Sequence, residues 1–238
     1  MIKKSALVTM TMLSGLLAGG LATSVSAAVS QTEKSTATAT FTDTTDPTNP
    51  IDPEDPDPSN PGPGPGTGET GPLTIDYVSD LDFGTHDVPK ADATYTAAND
   101  KTTDGKAIPN FVQVTDQRSG AVKGWTLTVM QDAQFTNDAN GKLEGAQLKF
   151  SGTAVTTTGN TEKAPTTHAV TLDPGTSAVI MDAGAGAGFG TWADKWGKVT
   201  DEEDVSTATL KVPVAAHPDA ATYTSNLTWT LTDVPATA

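Results

Sequence analysis

The chain has 238 residues, 29 acidic against 14 basic, three histidines and no cysteine, for a formal charge of −15. The missing cysteines exclude a disulfide scaffold and a thiolate-ligated metal. The acidic excess makes nucleic acid a poor partner, since binding there is dominated by phosphate neutralisation. It also repels other anionic polymers at long range, leaving short-range recognition, a bridging divalent ion or a protein partner as the means of contact with them.

Residues 1–27 read as a signal peptide. Lys3 and Lys4 give a positive start, residues 6–21 are mostly apolar, and Val25-Ser26-Ala27 sets small residues before a cut after Ala27 or Ala28. A membrane-spanning helix needs about 20 predominantly apolar residues. Thr, Ser and Gly dilute this stretch, so cleavage is favoured over anchoring. Cleavage leaves 12 basic against 29 acidic residues, a formal charge of −17. Residues 233–238 carry no sorting pentapeptide, apolar tail or basic end, and no cysteine follows the cut. The expectation is a secreted protein with no transmembrane anchor after cleavage, held at a surface non-covalently.

Residues 28–71 read as a disordered Thr/Pro/Asp/Gly-rich linker. Residues 46–72 alone hold nine of the sixteen prolines, and such a composition lacks the apolar surface to fold. At about 3.1 Å per residue of polyproline II it would span roughly 80 Å.

From Leu73 the pattern changes. Short alternating runs at 73–78, 111–115, 125–130, 146–150, 169–172, 179–181, 207–212 and 223–233 are rich in β-branched and aromatic residues. Period-two alternation argues strands. Asn137-Asp138-Ala139-Asn140-Gly141 and Asp173-Pro174-Gly175 supply turn chemistry between them. Residues 72–238 are therefore expected to form one all-β domain, a sandwich or a Greek-key barrel-like fold.

Two of the four tryptophans sit in the same tripeptide, Trp125-Thr126-Leu127 and Trp229-Thr230-Leu231. In a strand, Trp125, Leu127 and Val129 share one face, and Tyr223, Leu227, Trp229 and Leu231 share another, with threonines opposite. Two readings stand: an inward core stripe, or an exposed platform able to stack on a sugar or anchor a protein. The pair resembles the signature of the WxL domain, a cell-surface module of Gram-positive bacteria. Leu81-Asp82-Phe83-Gly84, the stretch FTNDANGKLEGAQLKF (135–150), Tyr223 ahead of Trp229, and Pro235 extend the resemblance over about 165 residues. The resemblance implies Trp125, Leu127, Tyr223, Trp229 and Leu231 as family motif positions. It also implies secretion and non-covalent association with peptidoglycan or a wall-associated glycan, and WxL-interacting surface proteins as possible partners.

The run AGAGAGFG (183–190) is neither a dinucleotide nor a P-loop fingerprint and reads as a connection. Trp192 and Trp196, four apart in Trp192-Ala193-Asp194-Lys195-Trp196-Gly197, would share a face of one helical turn. They are candidates for an exposed binding patch, against an equal alternative of a loop pinned by packing. Asp201, Glu202, Glu203 and Asp204 are weak calcium candidates, although the run lacks the alternating ligands of an EF-hand. His86, His168 and His217 show no metal-ligand spacing, and no catalytic residue or cofactor is indicated. The function expected is wall association by a secreted, non-enzymatic protein. The alternatives are a subunit docking on a WxL-interacting neighbour and, third, a wall-directed glycosidase, for which no carboxylate pair stands out.

Overall fold

The computed structural model describes residues 31–57, 59–151, 153–157, 162–199 and 204–235; the expected signal peptide lies outside them. Residues 31–40 are exposed and without regular structure, and the folded unit runs from Phe41. Its first strands are β1 (Leu73–Val78), β2 (Ala93–Thr96), β3 (Asp100–Lys101), β4 (Ala107–Ile108) and β5 (Asn110–Asp116). β6 (Trp125–Gln131), β7 (Gln147–Phe150), β8 (Thr153–Thr157), β9 (Thr166–Thr167) and β10 (Val170–Thr171) follow. β11 (Ser177–Ala183), β12 (Gly190–Val199), β13 (Asp204–Ser206), β14 (Ala208–Val212) and β15 (Leu227–Thr232) complete the set.

The fold is all-β. The strands form sheets in the orders β1-β5-β12-β13 (with β8 also on β12), β10-β7-β14-β2 and β15-β6-β11-β9, plus the pair β3-β4. Neighbouring strands run antiparallel throughout the described residues. One core joins the three larger sheets: Val112 and Val114 of β5, Trp125, Leu127 and Val129 of β6, Leu148 and Phe150 of β7, and Trp192 and Trp196 of β12. Alternation along β5 and β6 puts these side chains inward, as period two requires. The threonines of β15 are exposed, but Thr126 of β6 is covered and donates its hydroxyl to the carbonyl of Val234 at 2.8 Å.

Two bulges adjust this pattern. In β11 the register against β6 shifts between Val179 and Met181, so Ile180 and Met181 are both buried although consecutive. In β1 a shift between Ile75 and Tyr77 singles out Asp76. Its buried carboxylate accepts from Thr74, Gln113 and Thr115. Burial raises its pKa, against which those hydrogen bonds pull.

The Pro/Asp-rich segment departs from the free spacer expected of it. Ile51 is buried in a cluster with Ile108, Phe111 and Ala193, on the outer side of β5, with Tyr77 packed against it. Its N–H donates to Gln113 Oε1 at 2.8 Å, and Gln113 Nε2 donates back to the carbonyl of Asn49 at 3.0 Å. Ion pairs join Asp52 to Lys106 (2.7 Å) and Glu54 to Lys195 (3.1 Å). The chain then returns, bridging Pro63 to Thr102 and passing Thr67 N–H to the Asp76 carbonyl at 2.8 Å. Residues 49–67 are thus a strap, and β5 is buried on both faces along its whole length because of it. Burying one isoleucine contributes roughly 1.5–3 kcal/mol, too little to order the strap against about 1–2 kcal/mol per fixed residue. The ion pairs and hydrogen bonds add to it, and proline lowers the entropy to be lost.

Candidate functional site

The structure first settles where the sequence candidates lie. Trp125 and Leu127 are fully buried. The indole N–H of Trp125 donates to the carbonyl of Gly188 at 3.0 Å. That approach explains the glycine run: at Gly188 a Cβ would lie 2.4 Å from Ala183 Cβ and 2.7 Å from Trp125 Nε1, and the backbone has φ +78°. The run is a seat for the first motif tryptophan.

Trp192 and Trp196 do not form an exposed patch. Both are buried, in β12, where strand pairing with β5 and β8 replaces the expected helical turn. Residues four apart share a face in a strand as well as in a helix, so the spacing could not separate the two. Trp192 donates to the Phe189 carbonyl (2.9 Å) and Trp196 to Asp194 Oδ2 (3.3 Å). Asp194 shares their inward face and is fully buried, with no partner for Oδ1. Burial pushes its carboxyl well above the usual range. At Gly197 a Cβ would meet the Val205 carbonyl oxygen at 2.0 Å, so the close pairing with Ser206 of β13 requires glycine.

Trp229 and Leu231 are half-buried on β15. Trp229 stacks on Trp196 with centroids 5.9 Å apart and an interplanar angle of 21°. Tyr223 does not continue that face. It precedes β15 in an irregular segment and joins a separate cluster with Phe135, Leu143, Leu210 and Val212. Asp201, Glu202 and Glu203 lie outside the described residues, while Asp204 opens β13. Among the described residues no three His, Asp or Glu side chains converge as metal ligands. His168 pairs with Asp182 at 2.5 Å, and His217 occupies a left-handed position after a short 3-10 turn.

The cluster around Tyr223 floors a feature that the sequence did not reveal. Residues 81–89 and 218–225 are the walls of a surface cleft of about 950 Å³. His86, exposed, stacks on Tyr95 of β2 with centroids 4.0 Å apart and an angle of 19°. Phe83 meets Phe135 edge-on at 6.5 Å. A second cleft of about 600 Å³ shares Leu81, Phe83, Phe135 and Ser225 with the first and reaches Trp229. Together they make one groove from the His86–Tyr95 stack to the second motif tryptophan.

Local bonding holds both walls. Asp82 Oδ1 accepts from Gly84 N–H at 2.8 Å, and Gly84 at φ +77° turns the chain. His86 Nε2 lies 2.6 Å from the Phe83 carbonyl. On the other wall the Tyr223 hydroxyl accepts from Asp219 N–H at 2.8 Å, and Thr224 exchanges paired backbone bonds with Thr136. The charge is one-signed. Asp82, Asp87 and Asp219 line the wider part and Asp80 the narrower, with no lysine or arginine in either.

An all-β domain with an aromatic-lined surface groove offers a face to which a ligand can bind. The comparison with protein families agrees: residues 28–235 match the WxL domain, described as surface cell wall-binding. The chain belongs to the WxL family and is a cell-surface protein that binds the cell wall. No curated protein and no solved structure matches it.

Proposed function

We propose that the protein is secreted and holds non-covalently to peptidoglycan, with the groove as its contact. The continuous groove from His86 and Tyr95 to Trp229 carries this reading, because its open length suits a polymer. Aromatic rings stack on the apolar faces of sugars, and the exposed hydroxyls of Thr85, Thr222 and Thr224 exchange hydrogen bonds with sugar hydroxyls. The role is binding, not turnover. Co-sedimentation with purified walls tests it: the wild type pellets, and a His86→Ala/Tyr95→Ala variant with an intact melting transition loses about tenfold in apparent affinity. A wild type that stays in the supernatant, or a variant that pellets equally well, rejects the reading.

A second reading, docking on a WxL-interacting surface protein, draws support from β15. Among the described residues it pairs only with β6, leaving one backbone edge open to an added strand. The charge of −17 expected after cleavage, 12 basic against 29 acidic residues, disfavours direct adsorption to an anionic wall. Pull-downs of surface proteins with and without purified peptidoglycan separate the two, since only partner docking survives its removal.

A further inference from the structure

We propose that the groove selects a glycan strand bearing free primary amines, a de-N-acetylated hexosamine polymer, over its acetylated or phosphorylated counterparts. The inference rests on the reading of the groove as the wall contact and names what that contact recognises.

Charge complementarity carries the argument. Asp82, Asp87 and Asp219 are exposed side chains along the wider part of the groove, and Asp80 continues the series toward Trp229. None of the four forms an ion pair among the described residues. No lysine or arginine lines the groove to offset them, so a phosphodiester polymer would enter against their field. Nor do these carboxylates converge as a metal site, so the field is spread along the walls instead of focused on one ion. A ligand carrying several positive charges complements them, and an aminosugar chain supplies one ammonium per modified ring. The aromatic residues between the carboxylates, His86 on Tyr95, Phe83 and Tyr223, supply the apolar contact that a simple polyamine could not use. Recognition therefore needs both the ring and the amine.

Titration calorimetry on the mature chain tests this with two probes, a glucosamine hexamer and an N-acetylglucosamine hexamer, at about pH 5.5, where a free sugar amine is protonated. The expected result is roughly tenfold tighter binding of the glucosamine hexamer, falling below about threefold in 0.5 M salt as the charges are screened. The preference disappears in an Asp82→Asn/Asp87→Asn/Asp219→Asn variant. It survives in Asp57→Asn/Asp104→Asn/Asp173→Asn, which removes the same charge outside the groove, with melting transitions of both variants confirming the fold. Equal affinity for the two hexamers, or equal loss in both triple variants, overturns the proposal, the latter by assigning the preference to net charge. Failure of both hexamers to bind also overturns it. That failure extends to the wall reading only if His86→Ala/Tyr95→Ala leaves sedimentation with whole walls unchanged.

Discussion

Two aromatic assemblies lie within this domain and have opposite fates. Around Trp125, Trp192 and Trp196 the chain satisfies each indole N–H with its own carbonyl or carboxylate oxygen and buries the rings. Around His86, Tyr95, Phe83 and Tyr223 the rings are only partly covered, on a floor supplied by a second, smaller cluster. Where the backbone has consumed an aromatic's polar handle and covered its faces, the residue specifies the fold. Where it leaves a face open beside unpaired carboxylates, the residue can meet a ligand. Trp229 joins the two, stacked on Trp196 on one side and lining the groove on the other.

The contrast breaks most readily at Trp125. Trp125→Ala empties a fully buried site and should cost about 3–5 kcal/mol in urea denaturation; a loss below 1 kcal/mol would place Trp125 outside the framework. Next comes the strap. Ile51→Ala should cost about 2–3 kcal/mol and open residues 49–67 to limited proteolysis while the sheets persist. Unchanged cleavage would show the strap to be held without its plug.

Asp194 sharpens the comparison through pH. Its folded pKa is raised above the unfolded value, so the folded state keeps a proton that the unfolded state releases. Stability should therefore fall as pH rises from about 4 through the folded pKa. Asp194→Asn should equal the wild type near pH 4, gain on it as pH rises, and retain an acceptor for Trp196; parallel stability profiles would refute this. The smallest expected change in stability is at His86, in the other assembly. His86→Ala should alter stability by no more than about 0.5 kcal/mol yet weaken wall sedimentation severalfold. A loss of stability with binding intact would invert the division between the two regions.

Much of the framework was legible in the sequence. Alternation located β5, β6 and β14, and the Asn137 turn forms as its residues suggest, with Oδ1 accepting from Ala139 and Gly141 and Asn140 at φ 64°. The Trp-Thr-Leu pair identified the family. β12 was hidden because its tryptophans satisfy both periods and glycines flank it. The strap was hidden because composition averages over 27 residues what one isoleucine, two ion pairs and a pair of hydrogen bonds to Gln113 decide together. The groove was hidden for a different reason. Residues 81–89 and 218–225 have no regular period, lie some 130 positions apart, and acquire meaning only when β2, β7 and β14 bring them together.

The strap also determines how the domain bears load. The chain ahead of Asn49 touches the fold at Asp43, whose Oδ1 accepts from Ser119 N–H at 2.9 Å, and then at Ile51 and Gln113, so tension from the N-terminal side passes through these contacts and the flanking ion pairs before it reaches β1. Peeling the strap lengthens the tether by residues 49–67 before any sheet is strained. Under such tension the segment would act as a mechanical fuse in series with the domain, extending ahead of the groove and the tryptophan core.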